Sequence, residues 1–440
     1  MDDRKKTPVL LLTADGVNAP VNWFFRFFLI WVGQAFSLFG TSLISFALIW
    51  WLTEKTGATS VLAAGTFFAV LPRIVLGPFA GTFVDRISRK TIMVITNTAN
   101  ALLTAFLTAM FLSNIIQPWL IILVMSLREV CGTFQYQAMT ATTTLMVPET
   151  QLSRIGGMNQ TLSGILGIVA PPAGALLITA FPIHMVLPLD IITCITAIIP
   201  LLIITIPSPS KKAEIQESSA EKSSFVQETK EGVQFVLAWK ALFWVVMTCT
   251  FANIFTGPCS SFMPLLVTRV FNGGALELSY ISIASGIGVI AGGLLMSAWK
   301  GFSRRLITAA VGWLGVGIAY STASLTPANA YPMFLAMMFI TGFMNPVGSA
   351  PQGAFYQAGI PADKQGRVLG VLGSIEGGTV PLGLVIAWIF GEIVPLRAWY
   401  LIVGLSHAVL GIVWLGIPFI RRAEDELSQR RERQPVTQQA

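Results

Sequence analysis

Apolar residues occur along the chain in blocks of about 20, separated by short polar breaks. A helix of this length is long enough to cross the hydrocarbon core of a bilayer. The pattern therefore predicts an all-α integral membrane protein with twelve transmembrane helices. The blocks cover residues 27–52, 59–83, 91–113, 118–140, 155–180, 184–206, 241–268, 277–299, 306–325, 331–352, 368–391 and 397–419.

The longest polar interruption follows the sixth block and is rich in Ser, Lys and Glu, so it cannot cross a membrane. From Phe225 onward its pattern indicates an amphipathic helix at the interface. The predicted organisation is a cytoplasmic tail, a six-helix bundle, a cytoplasmic linker, a second six-helix bundle and a second cytoplasmic tail. Their ranges are 1–26, 27–206, 207–240, 241–419 and 420–440.

Composition excludes a soluble globular protein. The 440 residues are 54% hydrophobic and 11% charged, and the mean hydropathy is +0.71. Soluble domains carry about 25% charged residues. The first 20 residues have neither the long apolar run nor the cleavage site of a signal peptide, so we expect them to form a cytoplasmic tail.

Positive charge predicts the orientation in the cytoplasmic membrane. Of the 28 lysines and arginines, all but five fall in loops and tails that are cytoplasmic if both termini are inside. Lys55, Arg269 and Arg397 would be external, while Arg73 and Arg128 lie within blocks. This asymmetry follows the positive-inside rule and accounts for the net charge of +7 without a nucleic-acid partner. The arginine-rich C-terminus either borders anionic lipid or is solvated.

Two short matches at nearly the same offset indicate an internal repeat. The stretch VPETQLSRIGG at 147–157 aligns with IPADKQGRVLG at 360–370, and GPFAGTFVDRISRK at 77–90 aligns with GGLLMSAWKGFSRR at 292–305. The repeat predicts two six-helix halves related by a pseudo-twofold axis along the membrane normal.

The first of these loops resembles the signature of the major facilitator superfamily, Gly-x-x-x-Asp-Arg-x-x-Arg-Lys between helices 2 and 3. The fourth block adds an Arg-x-x-x-Gly pattern at 128–132, and the fifth adds a loose version of the Gly/Pro pattern of drug–proton antiporters at 167–174, with Ala170 where glycine is expected. The stretches WVGQAFSLFG and LREVCGTFQYQAM are similar to the macrolide-efflux branch. The resemblance implies a major facilitator fold and alternating access around a central cavity.

The loop signature implies a conformational latch on the cytoplasmic side. Spacing places its glycines and aspartate on one stripe of helix 2, where the carboxylate would face the start of helix 11. The alternative is that its basic residues only set topology. The latch residues are Gly77, Gly81, Asp85, Arg86, Arg89 and Lys90.

A charged group inside a predicted span costs about 2.5–3.5 kcal/mol on insertion scales. We therefore expect each such group to have a structural or functional role. Three carboxyl groups lie well inside spans, and we expect one or more of them to couple transport to protons. Asp190 is the candidate partner of Arg128. The alternative is that these groups form buried ion pairs or polar links that never titrate. The predicted proton-coupling residues are Arg128, Glu129, Asp190 and Glu376.

Helices 1, 4, 7 and 10 line the cavity in the fold that the sequence resembles. A few polar groups among aromatic residues suit amphiphilic ligands. The predicted substrate-binding residues on these helices are Gln34, Phe36, Gln135, Tyr136, Asn253, Phe255, Asn345 and Gln352. The alternative is that they pack helices or face lipid.

Prolines and glycines at comparable places in helices 5 and 11 predict hinges, because they interrupt backbone hydrogen bonds. Close helix packing is the alternative. The predicted hinge residues are Pro171, Gly174, Pro381 and Gly383.

The resemblance implies a secondary transporter that exports hydrophobic or amphiphilic compounds, such as macrolides, with proton antiport as the expected energy source. We expect it to act as a monomer. Its expected partners are the substrate, protons and membrane lipid. A transporter of an endogenous amphiphile, such as a siderophore or lysophospholipid, stays open as an alternative.

Other classes are disfavoured by the sequence. It contains no nucleophile–base set, phosphate loop, metal cluster or cofactor motif, so we expect neither an enzyme nor a cofactor. A channel or nontransporting receptor is disfavoured because the sequence has neither a filter-like repeat nor a soluble sensory domain.

Overall fold

A computed structural model describes residues 22–207, 225–361 and 364–417, apart from the side chains of residues 78, 82, 85, 86 and 225–228. These residues form fifteen α-helices and one short 3-10 turn, Glu149–Gln151. The helices are α1 Trp23–Thr56, α2 Thr59–Arg86, α3 Arg89–Leu112, α4 Pro118–Met146, α5 Leu152–Ala180, α6 Ile183–Val186, α7 Pro188–Ile203, α8 Phe225–Ala238, α9 Lys240–Ile254, α10 Thr256–Phe271, α11 Ala275–Ala298, α12 Arg305–Ser324, α13 Tyr331–Gly359, α14 Gln365–Phe390 and α15 Leu396–Gly416.

Eleven helical segments of the described chain are long and apolar enough to cross a membrane. Two of them are interrupted, since α6 with α7 and α9 with α10 each form one span. The twelfth predicted span corresponds to α4, which is 29 residues long. Its hydropathy is lower than that of the eleven because Arg128, Glu129 and several threonines lie within it. The structure of the described residues confirms the all-α membrane fold.

The chain divides into two compact units. The first contains Met1–Leu48 and Phe68–Lys222, and the second contains Ile49–Phe67 and Ser223–Ala440. The end of α1 and the start of α2 therefore belong to the same unit as α8 to α15, a feature that the sequence does not predict. The boundaries of the predicted tails and linker stay predictions, and residues 1–21 and 418–440 lie outside the described residues.

Small residues allow the helices of the second unit to pack closely. A Cβ atom at Gly312 of α12 would overlap the backbone of Gly348 in α13, and a Cβ at Gly292 of α11 would overlap the carbonyl of Phe343. Close backbone approach at glycine is a general device of helix packing in membranes. Helix α13 therefore lies tightly between α11 and α12, which fixes the polar residues along it.

A helix, α8, occupies the stretch where the sequence predicts an interfacial segment. Val236 in its last turn and Trp239, which follows its last residue, are buried in an apolar cluster with Phe355 of α13 and Val368 of α14. At Gly232, a Cβ would lie 2.8 Å from the Val371 side chain. Helix α8 is thus packed directly against the helix that carries Glu376, whereas its placement at a membrane interface stays a prediction.

Candidate functional site

The first unit contains a buried ion pair. Arg128 Nη1 of α4 lies 2.6 Å from Asp190 Oδ2, at the start of α7. Thr104 of α3 donates to the same carboxylate oxygen at 2.7 Å, and Thr41 of α1 donates to the other at 3.4 Å. Asp190 is completely buried and Arg128 is 5% exposed. The structure thus joins the two residues that the sequence predicts as partners and adds two hydroxyl groups.

Local sequence explains why the carboxylate is held there. Asp190 lies in the first turn of α7, where Pro188 begins the helix and the helix dipole favours a negative charge. Gly40 lets α1 approach, because a Cβ at that position would overlap the Thr193 hydroxyl. Arg128 Nη2 has no hydrogen-bond partner among the described residues, so only part of the guanidinium is satisfied.

Two predicted substrate residues of the first unit are bonded to each other. Gln135 Nε2 of α4 donates to Gln34 Oε1 of α1 at 2.6 Å. Gln34 and Gln135 therefore link α1 and α4 in this conformation, while their helix neighbours Phe36 and Tyr136 are exposed. A role of these four residues in substrate binding stays a prediction.

Glu129 is separate from the ion pair. It follows Arg128 directly, so the two side chains leave α4 in different directions. Glu129 is half-buried and within electrostatic reach of Arg73 of α2. The three predicted coupling carboxyl groups therefore have different surroundings in the structure.

The second unit contains a cavity of about 320 Å³ around Glu376 of α14. A chain of hydrogen bonds leads to this carboxylate. Trp313 Nε1 donates to Gln352 Oε1 at 2.9 Å, Gln352 Nε2 donates to the Tyr356 hydroxyl at 2.9 Å, and Tyr356 donates to Glu376 Oε1 at 3.1 Å. Every donor in the chain points toward Glu376, which is the final acceptor.

Two of the four substrate residues predicted in the second unit line this cavity, Asn253 and Gln352. Asn345 is exposed, and Phe255 lies at the break between α9 and α10. Tyr356 lies four residues after Gln352 on the same helix face, a spacing that could have identified it. The wall residues that the sequence did not identify include Cys249, Trp313, Tyr356 and His407.

The predicted latch is only partly described. A Cβ atom at Gly77 or Gly81 would meet no described atom within 4 Å, so neither glycine allows a close helix approach among the described residues. Lys90 donates to the carbonyl oxygens of Leu202 and Ile204, at 3.1 and 3.3 Å, and so caps the end of α7. The side chains of residues 85 and 86 lie outside the described part, and the latch, with Arg89, stays a prediction.

The predicted hinge residues lie inside continuous helices, Pro171 in α5 and Pro381 in α14. The nearby glycines are packing points. A Cβ at Gly174 would lie 2.9 Å from the Phe46 side chain of α1, and a Cβ at Gly383 would overlap the carbonyl oxygen of Ile254. These contacts favour the packing alternative at both glycines, whereas hinge motion stays a prediction.

Within the second unit, the region where α1 ends and α2 begins is bonded to the last turn of α10 and to the segment that follows α14. Ser60 donates its backbone N–H and its hydroxyl to Glu392 Oε1, each at 3.3 Å, and Arg269 donates to the Gly57 carbonyl at 2.5 Å. Burial raises the pKa of the Glu392 carboxyl, but hydrogen bonds from Ser60 and Thr59 outweigh it, so this pKa lies below its usual value. The sequence did not identify these residues.

Metal binding finds no support in the described part of the chain, which has no group of three or more His, Cys, Asp or Glu residues arranged to hold an ion. The four cysteines are free thiols. The polar clusters consist of hydrogen-bonded side chains within apolar helix surfaces.

Comparison with known proteins gives consistent results. The sequence model of the Major Facilitator Superfamily matches residues 30–377. Macrolide efflux protein A of Streptococcus pyogenes is 29% identical over 92% of this chain and 98% of its own length. A protein of the same name from Enterococcus faecalis is 28% identical over 74% of this chain and its full length. Among solved structures, a D323A mutant of the nucleoside transporter NupG superposes with a TM-score of 0.65 at 14% identity, covering 90% of this chain and 99% of NupG.

Proposed function

Because the chain belongs to the Major Facilitator Superfamily, we propose that it exports hydrophobic or amphiphilic compounds, macrolides among them, by proton antiport. It is a multi-pass membrane transporter and not an enzyme, as its relatives and fold establish. The choice of substrate rests on the similarity of this chain to macrolide efflux protein A along nearly its whole length. A single chain within the cytoplasmic membrane would perform the export by alternating access.

The chemistry of the clusters supports this choice. Each contains a few fixed polar groups surrounded by apolar helix surface, which is the usual composition of sites for weakly polar ligands. An anionic substrate, such as an acidic siderophore or an anionic lysophospholipid, would need a free cationic group. Arg128 is already neutralised by Asp190, so it gives that alternative no support.

Within this proposal, Asp190 is the residue that exchanges the proton. The carboxylate is fully buried beside Arg128, so a proton would reach it only in another conformation. Protonation would remove the charge that holds the guanidinium, and Arg128 would then need another partner. Loss of this contact would link proton binding to a rearrangement of α3, α4 and α7. Glu129 and Glu376 stay candidates for the same role.

The proposal is tested by macrolide susceptibility of an efflux-deficient host and by pH-driven uptake into inverted vesicles. We expect the wild type to raise resistance, and a protonophore to abolish it. Asp190→Asn should lower pH-driven uptake at least tenfold, because the amide cannot exchange a proton. Glu129→Gln and Glu376→Gln are measured beside it, and Glu149→Gln, a change at an exposed carboxyl group, is the matched control.

Two outcomes would contradict the proposal. Resistance that survives the protonophore would exclude proton antiport. Uptake that stays pH-driven in all three intramembrane amide variants would exclude coupling through these carboxyl groups. A loss that is confined to Glu129→Gln or Glu376→Gln and persists at saturating substrate would move the role to that residue.

A further inference from the structure

The carboxylate of Glu376 has only one of its oxygens engaged. Tyr356 donates to Oε1, and no described residue donates to Oε2. No lysine or arginine lies in the cavity wall, and the described residues give Glu376 no ion pair. An ionised group within a membrane span is costly unless a charge or several hydrogen bonds compensate it. The geometry therefore leaves a place for a cation at this carboxylate.

The other walls of the cavity suit an organic cation. Trp313 and Tyr356 contribute aromatic side chains to the wall, and aromatic rings attract cations, while Asn253 contributes an amide oxygen. His407 is held through Nδ1, 2.9 Å from the Val403 carbonyl, and its ring packs against Trp313 at a centroid distance of 5.7 Å. Because Nδ1 must donate to this carbonyl, Nε2 of the neutral ring is an acceptor.

Size limits what the cavity can hold. Its volume of about 320 Å³ is at the lower end of the range for ligand sites, about 300–1,000 Å³. A head group such as an amino sugar fits this volume, whereas a complete large amphiphile does not. The apolar remainder of the substrate would lie outside the cavity.

We propose that this cavity binds the positively charged amine of an amphiphilic substrate, with the Glu376 carboxylate as its counter-ion. The inference rests on the proposed export function and specifies its substrate class as amphiphilic organic cations. Trp313, Gln352 and Tyr356 are positioning residues, because their chain of donors holds Oε1 and leaves Oε2 for the ligand.

The test is equilibrium binding to the purified full chain in lipid nanodiscs. Erythromycin, which carries a dimethylamino sugar, is compared with an analogue in which a neutral N-acetyl amide replaces the dimethylamino group. We expect Glu376→Gln to weaken erythromycin binding roughly ten- to a hundredfold and to change binding of the neutral analogue by less than about threefold. Glu149→Gln should leave both affinities unchanged.

An additional binding measurement distinguishes failure of the cation site from failure of the proposed macrolide export. Ethidium, a permanent cation unrelated to macrolides, is measured in parallel. A wild type that binds ethidium through Glu376 but neither macrolide would support the cation site and overturn macrolide export. Equal weakening of charged and neutral probes, or no weakening of erythromycin and ethidium, would overturn the cation site.

A second variant keeps the test decisive if Glu376→Gln does not fold. Glu376→Asp retains the negative charge and shortens the side chain by one methylene group. It should keep the preference for erythromycin over the neutral analogue, and loss of that preference would overturn the cation site.

Discussion

A buried guanidinium beside a buried carboxylate is stable only while both are present. Removing one partner leaves an uncompensated charge, which costs about 3–5 kcal/mol, whereas replacing both by apolar groups is often neutral. Arg128 and Asp190 meet this description, since they lie 2.6 Å apart with almost no exposed surface. Their contribution to stability can therefore be separated from their role in transport.

We predict that Arg128→Met lowers the thermal unfolding midpoint strongly, and that Arg128→Met with Asp190→Leu restores most of the loss without restoring pH-driven transport. Arg367→Met is the matched control, because its pair with Glu231 is exposed and should contribute at most about 1 kcal/mol. Purified protein is measured by thermal unfolding. A double variant as unstable as Arg128→Met would show that the pair is not the source of the loss.

The sequence predicts the partner of Arg128 because few charges occur within spans and each needs compensation. It does not predict the hydrogen-bond chain to Glu376. Tyr356 shares a helix face with Gln352, but only the packing of α12, α13 and α14 brings its hydroxyl to the carboxylate and Trp313 to Gln352. An uncharged side chain within a span lacks the large desolvation cost of a charged one, so the sequence does not show that it needs a particular partner. Its role is visible only in its tertiary contacts.

At the scale of the helices, the hinge and packing interpretations of the Pro381 and Gly383 pair make different demands on Gly383. As a hinge residue it would need conformational freedom, and as a packing residue it would need the absence of a side chain. A Cβ atom added at Gly383 would overlap the Ile254 carbonyl oxygen and lie 3.1 Å from Cδ of Pro258. Helix α14 therefore touches α9 and α10 at this point.

We predict that Gly383→Ala destabilises the protein by roughly 1–3 kcal/mol, because the added methyl group forces α14 away from its neighbours. Gly373→Ala, in the same helix, should cause no loss, since a Cβ there meets no described atom within 4 Å. Thermal unfolding and transport are measured for both. A Gly383→Ala variant that is fully stable but inactive would instead favour the hinge.

Other features of the helices do not follow from the apolar pattern alone. The apolar block at 241–268 predicts one uninterrupted helix, but the helix breaks at Phe255. Gly257 and Pro258 follow the break, and Pro258 has no N–H to donate to the Ile254 carbonyl. The attachment of residues 49–67 to the second unit depends on long-range contacts, such as that of Ser261 with the Leu62 carbonyl. Apolar blocks predict where helices occur, but they do not specify which helices are neighbours.

At the scale of the whole molecule, the arrangement of spanning helices follows from a simple physical constraint. Backbone polar groups must be satisfied within the bilayer, so an apolar chain of this length forms helices that cross it. Helix α4 is less apolar than the eleven other spans because it contains Arg128 and Glu129, and Asp190 of α7 compensates the charge of the arginine. Orientation is a separate question, which depends on the loops.

The positive-inside rule predicts that the loop of residues 113–117 is external and that of residues 299–304 is cytoplasmic. Ser113→Cys and Ser303→Cys place one thiol in each, and both positions are exposed. With the four native cysteines replaced, a membrane-impermeant maleimide should label Ser113→Cys in intact cells and Ser303→Cys only after permeabilisation. Lys300, Arg304 and Arg305 surround the second position, so the electrostatic bias is strong there. The reverse labelling pattern would invert the topology, and the proposed direction of export would be reversed with it.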